Sequence, residues 1–379
     1  MSGYFAGIRG FTIPTSLVPP VRVQNPIVAV GTTKTEVSEP KLIYSYDDYK
    51  NTFGYTGDYE KQTLDEVVDV AFTLYKVAPI VFISVGTDAG NVSSTDVINA
   101  ISKWIDRIFF LFRLVPGILI SPKFSEDPSV AIAMNAAMEN ITSLFKGIAV
   151  ADIPDSVEYT DVPNHKNSNN LVDDKLILTY PSLIFNGKKH HLSVHYACLQ
   201  ARIDAENEGI PYQVASNQRL YAEKASKILT LDEANYLRGN GVVTALNFIG
   251  GWKTWGDRTS AYPATTDPVE AQIPVVRMFN YINEMFIRTF WSKVDLPLTP
   301  RLLKSVRDTA NTIFDGWTRM GILLGGRVEV REDENPVTDL MDGITRFHTF
   351  VTPPPAAREM DFYYEFDVSY IQSVFKEVA

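Results

Sequence analysis

The stretch from residue 352 to 371, TPPPAAREMDFYYEFDVSYI, constrains this chain most: a proline-rich break gives way to a strict two-residue alternation. Met360, Phe362, Tyr364, Phe366, Val368 and Tyr370 are all apolar, whereas the odd positions include Asp361, Glu365, Asp367 and Ser369. That period belongs to a half-buried strand roughly 35 Å long. Only nine residues follow Tyr370, so the strand must find its hydrogen bonds and a cover for its apolar face among earlier strands or on another molecule. It either closes the chain's own core or is donated. At the other end, MSGYFAGIRGFTIPTSLVPPVRVQNP is cut by Pro14, Pro19, Pro20 and Pro26, which forbid a helix and limit it to extended or edge pairing. It reads as an arm, with a structureless chain end as the alternative.

Between these ends, short apolar strands alternate with helical periodicity. Strands are expected near 27–30, 41–44 and 79–85, followed by helix 94–112, strand 118–121, helix 128–145 and strand 147–152. Strand 175–180, a helix from His191 to Asn207 and strand 241–246 continue the pattern. From residue 94 onward such alternation implies a largely parallel sheet covered by helices, an α/β domain at roughly 95–262. From Pro274 the grammar changes. A helix at 276–291 precedes a second that starts at Thr299-Pro300, a cap and first-turn pair. On the second helix Leu302, Leu303, Val306, Ala310, Ile313, Phe314 and Trp317 fall within an arc of about 120°. Arg301, Lys304, Arg307, Asp308, Asp315 and Arg319 take the other side. Segments 325–331 and 343–351, with the closing strand, form an antiparallel set expected to pack on residues 27–90.

Composition narrows function. A chain of 379 residues exceeds one ordinary core, so two domains, one inserted into the other, are expected. The net charge of −10 and the lack of any lysine-arginine run argue against a nucleic-acid partner. A single cysteine, Cys198, excludes an internal disulfide framework. The N-terminus carries no charged region followed by an apolar one, so no secretory signal is expected. Ile105 to Ile120 is broken by Asp106, Arg107, Arg113 and Pro116, which a bilayer core would reject, so no membrane insertion is expected.

The chemistry-bearing patterns stay incomplete. His191 and His195 lie one helical turn apart, but Leu192 stands where a zincin glutamate belongs, and a half-exposed helix face is the simpler reading. Gly31-Thr-Thr-Lys-Thr35 lacks the glycine and the Gly-Lys pair of a phosphate loop. Gly239-Asn-Gly-Val-Val-Thr244 precedes a strand rather than a helix, the wrong context for a dinucleotide fingerprint. No Gly-x-Ser-x-Gly elbow occurs, and Cys198 sits among apolar neighbours as a buried thiol would. No catalytic, cofactor or metal site is expected.

Several segments taken in order carry a resemblance: the strand Ile27-Val-Ala-Val-Gly-Thr32, the turn Gly209-Ile-Pro-Tyr-Gln-Val-Ala-Ser-Asn217, Leu237-Arg-Gly-Asn-Gly-Val-Val-Thr244, the box Gly251-Trp-Lys-Thr-Trp-Gly-Asp-Arg-Thr259, and the proline break before an aromatic strand. Together they resemble the tail sheath proteins of contractile bacteriophages and R-type pyocin-like particles, over essentially the whole chain. The resemblance implies an α/β plus α+β architecture. An inner α+β domain is built from N- and C-terminal parts, residues 26–94 and 263–359, around an inserted subtilisin-like α/β domain, 95–262. Arms at 1–25 and 360–379 add strands to neighbouring subunits, with Phe362, Tyr364, Phe366, Val368, Tyr370, Phe11 and Ile13 as intersubunit candidates. It further implies a helical homopolymer around a tail tube, with baseplate and tail-terminator partners, in a virion tail or contractile particle assembled in the bacterial cytoplasm. A metastable extended sheath would contract to drive the tube through a target envelope. The charged side of the helix from Pro300, with Arg301, Lys304, Arg307, Asp308, Asp315 and Arg319, is the candidate tube contact. The rival readings are an α/β hydrolase-like enzyme with an unrecognised site and another arm-exchanging structural protein.

Overall fold

The computed structural model describes residues 25–372. Its strands, in chain order, are β1 (Ile27–Gly31), β2 (Lys41–Ile43), β3 (Ile80–Ser84), β4 (Ile118–Ile120), β5 (Ile148–Asp152), β6 (Leu176–Thr179), β7 (Leu183–Phe185), β8 (Lys188–His190), β9 (Lys224–Ala225), β10 (Val242–Asn247), β11 (Trp252–Trp255), β12 (Gly325–Glu329) and β13 (His348–Thr352). Eight form one sheet in the order β11-β10-β6-β5-β4-β1-β3-β2. Its six inner strands run parallel, and an antiparallel strand closes each edge. Ala29 stands opposite Phe82 on one side and Ile120 on the other, which pins the centre of the register.

Burial on both faces explains why these strands read as unbroken apolar runs. Odd residues of β1, Ile27 and Ala29, join Phe82, Ile120, Val150 and Ile177 under α2 (Thr63–Val68), whose axis continues as a π-helix over Asp69–Tyr75, and under α6 (Leu192–Glu206). Even residues Val28 and Val30 join Val81, Leu119, Ala149 and Leu178 under the opposite layer. There lie α3 (Ser94–Phe112), α4 (Pro128–Glu139), α5 (Val162–Ser168) and α7 (Leu231–Arg238), contributing Ile101, Met134, Val162 and Leu237, while α1 (Tyr46–Phe53) adds Tyr49 and Phe53 to the first core. The period-two alternation of Cβ directions thus builds two cores on one sheet. Helix starts are encoded locally: Ser93 and Asp96 form a capping box on α3, as Thr230 and Glu233 do on α7.

A second unit follows from Ile273. Helices Ile273–Phe290 and Pro300–Arg319, here the long C-terminal pair, pack with the two-stranded hairpin β12–β13 around Met278, Met285, Ala310, Ile313, Phe314 and Val328. Thr299 caps the second helix by accepting from the Leu302 amide at 3.2 Å. The unit is tied to the sheet body by polar contacts. Arg277 donates to Asp204 in a two-pronged ion pair, and Asn283 Nδ2 donates to the Leu144 carbonyl at 2.9 Å.

Three expectations are corrected. The division at residue 94 does not separate two sheets, because β1 lies between β4 and β3 in one ladder, so residues 26–94 belong with 95–262. The C-terminal hairpin packs on its own two helices rather than on residues 27–90: its core cluster contains no side chain from that span among the described residues. And residues 353–367 form no strand, while Val368–Gln372 make a short 3-10 turn. The last correction has a plain cause: with no partner strand beside it in the chain, the alternating segment has no ladder to join.

Candidate assembly surfaces

The exposed aromatic segment is the first surface. Phe362, Tyr364, Phe366 and Val368 are 74%, 93%, 78% and 67% exposed, and Met360, Tyr363 and Tyr370 are exposed too. A stretch this apolar in water marks an interaction site. Burying each Phe- or Val-sized side chain against a partner would contribute roughly 1.5–3 kcal/mol. The intersubunit candidates at 362–370 therefore lie on one exposed segment that joins no sheet among the described residues. Phe11 and Ile13 lie outside the described residues.

The charged face of the second long C-terminal helix is the next surface. Arg301, Lys304, Asp315 and Arg319 are exposed, as the helical spacing predicts. Arg307 and Asp308 are half-buried and pair with each other at 2.8 Å. The opposite face is sunk into the hairpin and its partner helix through Ala310, Ile313 and Phe314. Leu302, Leu303 and Val306 instead line an apolar groove of about 750 Å³ beside the hairpin, with Phe290, Leu298 and Phe347. Hairpin chemistry makes its two edges unequal. Asn311 donates to the Val328 carbonyl at 3.1 Å and accepts from the Val328 amide at 2.7 Å, covering the outer edge of β12 at that residue.

The tryptophan box is a structural knot. Gly256 must approach β10 closely, because a Cβ there would stand 2.9 Å from Val243 Cα. Asp257 accepts from Arg238 Nε at 2.9 Å, the Arg238 guanidinium lies 4.8 Å from the Trp255 ring centre, and Trp255 Nε1 donates to Asn235 at 2.8 Å. Gly241 is equally constrained: at φ +73°, an added Cβ would meet the Tyr262 and Thr259 carbonyls at 2.4 and 2.5 Å. These residues weld α7, β10 and β11 together; they present no reactive group to solvent.

The histidines are buried, not half-exposed. His191 Nδ1 contacts Glu66 at 2.8 Å and its Nε2 lies 3.6 Å from Glu126. Burial alone would lower its pKa, but Glu66, Glu126 and Asp152 hold the proton and raise it well above the usual value. His195 and His190 contact each other at 3.3 Å, and His195 Nδ1 meets the Tyr75 hydroxyl at 3.2 Å. Burial lowers both of their pKa values. The expected helix face failed because α6 starts at Leu192, so His191 precedes it, and the layer above is the π-helix rather than water. Glu66 and Glu126 gave no local sign of this role, being 125 and 65 residues from His191 in the chain. Among the described residues no group of three or more His, Cys, Asp or Glu side chains could hold a metal ion. Cys198 is buried as expected, its thiol pKa pushed up by burial. No helix among the described residues is long and apolar enough to cross a membrane.

No family model and no curated protein sequence matches the chain. Solved structures do. The fold is shared with the sheath of an extracellular contractile injection system, PVC, in its contracted state: TM-score 0.75, 15% identity, 98% of this chain and 99% of that one. The contracted helical sheath of the anti-feeding prophage AFP gives TM-score 0.73 at 17% identity, over 97% of this chain and 100% of that one. A sheath tail protein from Desulfitobacterium hafniense gives 0.60 at 11% identity, over 86% and 93%. At these identities the likeness is one of fold.

Proposed function

We propose that the chain is the structural protomer of a contractile sheath, a non-enzymatic subunit that polymerises helically and contracts. The observation that carries this reading is end-to-end coverage: 98% of this chain matches 99% of a contracted sheath protein, so body, C-terminal unit and approach to the tail are all accounted for. The exposed aromatic segment supplies the cohesion. In this reading residues 360–370 of one copy take up the strand conformation their alternation encodes on reaching a neighbour, where main-chain pairing holds them and alternate side chains set register. The β12–β13 hairpin is the receiving sheet, and β13 the receiving edge, because Asn311 covers β12 at Val328. The apolar groove beside it would take the incoming side chains. Repetition of this heterologous contact generates a cylinder.

Within that cylinder we assign the sheet body, subtilisin-like in this reading, to the outside and the C-terminal unit to the tube. Arg301, Lys304, Arg307, Asp308, Asp315 and Arg319 would contact the tube protein, since charged contacts fix register while staying reversible. The sheath would bind a baseplate and a tail terminator at its ends, and be assembled in the bacterial cytoplasm. Contraction exchanges one packing for another with more buried interface. Negative-stain microscopy of the purified chain tests the reading: striated hollow cylinders are expected, and a protein that stays monomeric at every concentration would refute it. Reversing Arg301, Lys304 and Arg307 to glutamate should stop assembly on tubes while permitting tube-free polymers. Tube-filled particles from that variant would remove the helix from the tube contact.

A further inference from the structure

The connection between β12 and β13 is built to hold an apolar face in water. Its short helix, Val337–Met341, ends before Gly343, whose φ of +76° lets the Ile344 amide turn back to the Asp339 carbonyl at 2.8 Å. Buried Asn335 ties the two ends of the connection together: its Nδ2 donates to the Arg331 and Arg346 carbonyls at 2.7 and 3.0 Å, and its Oδ1 accepts from the Arg346 amide at 2.7 Å. Val337 and Met341, one turn apart on this fixed helix, are 72% and 82% exposed. Outside the aromatic segment, no large apolar side chain among the described residues is more exposed than Met341. Residues 331–346 carry five carboxylates against two arginines. Both arginines are spent inside the connection, Arg331 on Asp333 and Glu334 and Arg346 on Asp339, which leaves Glu332 and Asp342 exposed with no cation paired to either among the described residues.

A surface of opposite charge lies on α3. At about 100° per residue, Lys103, Arg107, Phe110 and Leu111 fall within an arc of about 100° on its outward side, and all four are exposed. The Lys103 and Arg107 cations lie 4.5 and 5.6 Å from the Trp104 ring centre, and no carboxylate among the described residues pairs with them. Asp106, at the edge of the arc, is taken up by the Thr142 amide at 2.8 Å. We propose that the acidic, apolar connection of one copy docks on this basic, apolar face of a second copy, with Val337 and Met341 against Phe110 and Leu111, and Glu332 and Asp342 beside Lys103 and Arg107. The inference rests on the sheath reading for its second copy. Two different surfaces meet, so the contact passes from copy to copy without closing. So few side chains cannot hold two copies by themselves against the cost of association. Asp342 and Gly343 also line the groove assigned to the aromatic segment, so a copy held there meets the connection at high effective concentration. The strand contact joins the copies, and this one fixes the angle between them.

Exchanging the charges tests it. The critical concentration for polymer formation is read by pelleting at about 0.1 M salt, where charges about 10 Å apart still sense one another. It should rise about tenfold or more in Lys103→Glu/Arg107→Glu and, separately, in Glu332→Lys/Asp342→Lys, with the thermal midpoint unchanged because all four side chains are exposed. The variant that carries both exchanges should return to within about threefold of the unaltered chain, because opposite charges face each other again. Met341→Ser, which removes the apolar tip without altering charge, should raise the critical concentration as well. No rise in either charge variant, a combined variant that assembles no better than the two separate ones, or a neutral Met341→Ser each overturns the contact and leaves the sheath reading standing. An unaltered chain that polymerises at no concentration removes both.

Discussion

The sheet body and the C-terminal segment are nearly opposite in how they satisfy their chemistry. In the body every strand of the eight-stranded sheet buries side chains on two helical layers, and even its charges are paired inside, as Glu66, His191 and Glu126 show. The segment after Thr352 carries as regular an apolar pattern as any strand of the body, yet it lies in water with Tyr363 and Tyr364 each 93% exposed. The same alternation that makes a core when a ladder is available makes a sticky end when none is. The difference therefore separates what folds the chain from what the proposed function uses to join copies of it.

Deleting residues 360–379 is the largest perturbation this contrast allows. Polymerisation should be lost entirely while the thermal midpoint of the remaining monomer stays within a degree or two of the full chain, measured by sedimentation and circular dichroism. A truncated protein that misfolds would show that the segment closes its own core. Next in size is the buried ion pair. His191→Ala leaves buried Glu66 without its cation and Glu126 with only Lys189 at 3.7 Å, and denaturant unfolding should show a loss of about 3–5 kcal/mol, as for other buried pairs deprived of one partner. An unchanged midpoint would mean the network is solvated and the body less closed than described. Gly241→Ala forces a Cβ against two carbonyls at positive φ, and should cost on the order of 1–3 kcal/mol.

The smallest effect is a pH dependence. Burial depresses the pKa values of His190 and His195, so the unfolded chain binds protons there first, and stability should fall as pH drops through the ordinary histidine range near ~6.5. His191 has the opposite sign: its raised pKa lends stability that is complete below about 6.5 and is lost as pH rises through the higher folded value. Burial also pushes Glu284 up to about 8 despite its hydrogen bond from Arg288 at 2.8 Å. A proton held there stabilises the seam between body and C-terminal unit at lower pH, and that contribution is lost as pH rises through about 8. Glu284→Gln should therefore flatten the alkaline limb of a stability–pH profile. A limb of unaltered slope would assign the loss to His191 alone.

Much of this contrast was legible in the residues. Runs such as Ile118-Leu-Ile and Ile148-Ala-Val-Ala, separated by helical periods, led to a largely parallel sheet covered by helices, whereas Ile27-Val-Ala-Val and Ile80-Val-Phe-Ile were placed in another domain and belong to the same ladder. Thr299-Pro300 marked a helix start to the residue. The amphipathic arc of that helix also separated buried Ala310, Ile313 and Phe314 from exposed Arg301, Lys304, Asp315 and Arg319, because a helix on a surface obeys its own period, while Leu302, Leu303 and Val306 stay half-buried over the groove. Sheet order was not legible: nothing local in Ile27–Gly31 says that it lies between β4 and β3, since parallel neighbours are chosen by long-range packing rather than by period. The histidines were misread for a related reason. One helical turn between His191 and His195 says which face they share, and only α2, bearing Glu66, and the π-helix that continues it decide whether that face meets water. The aromatic segment was read as a strand that either closes the chain's own core or is donated; among the described residues it joins no ladder, and its period alone cannot say where a partner lies.

Helical reconstruction by cryo-electron microscopy of polymers grown from the full-length chain tests the central claim most directly. The account expects residues 360–370 as an extended strand on the β13 edge of a neighbouring subunit, with Phe362, Phe366 and their alternates in the groove beside it. The same segment folded back on its own subunit, in cylinders that hold together without it, would contradict the account.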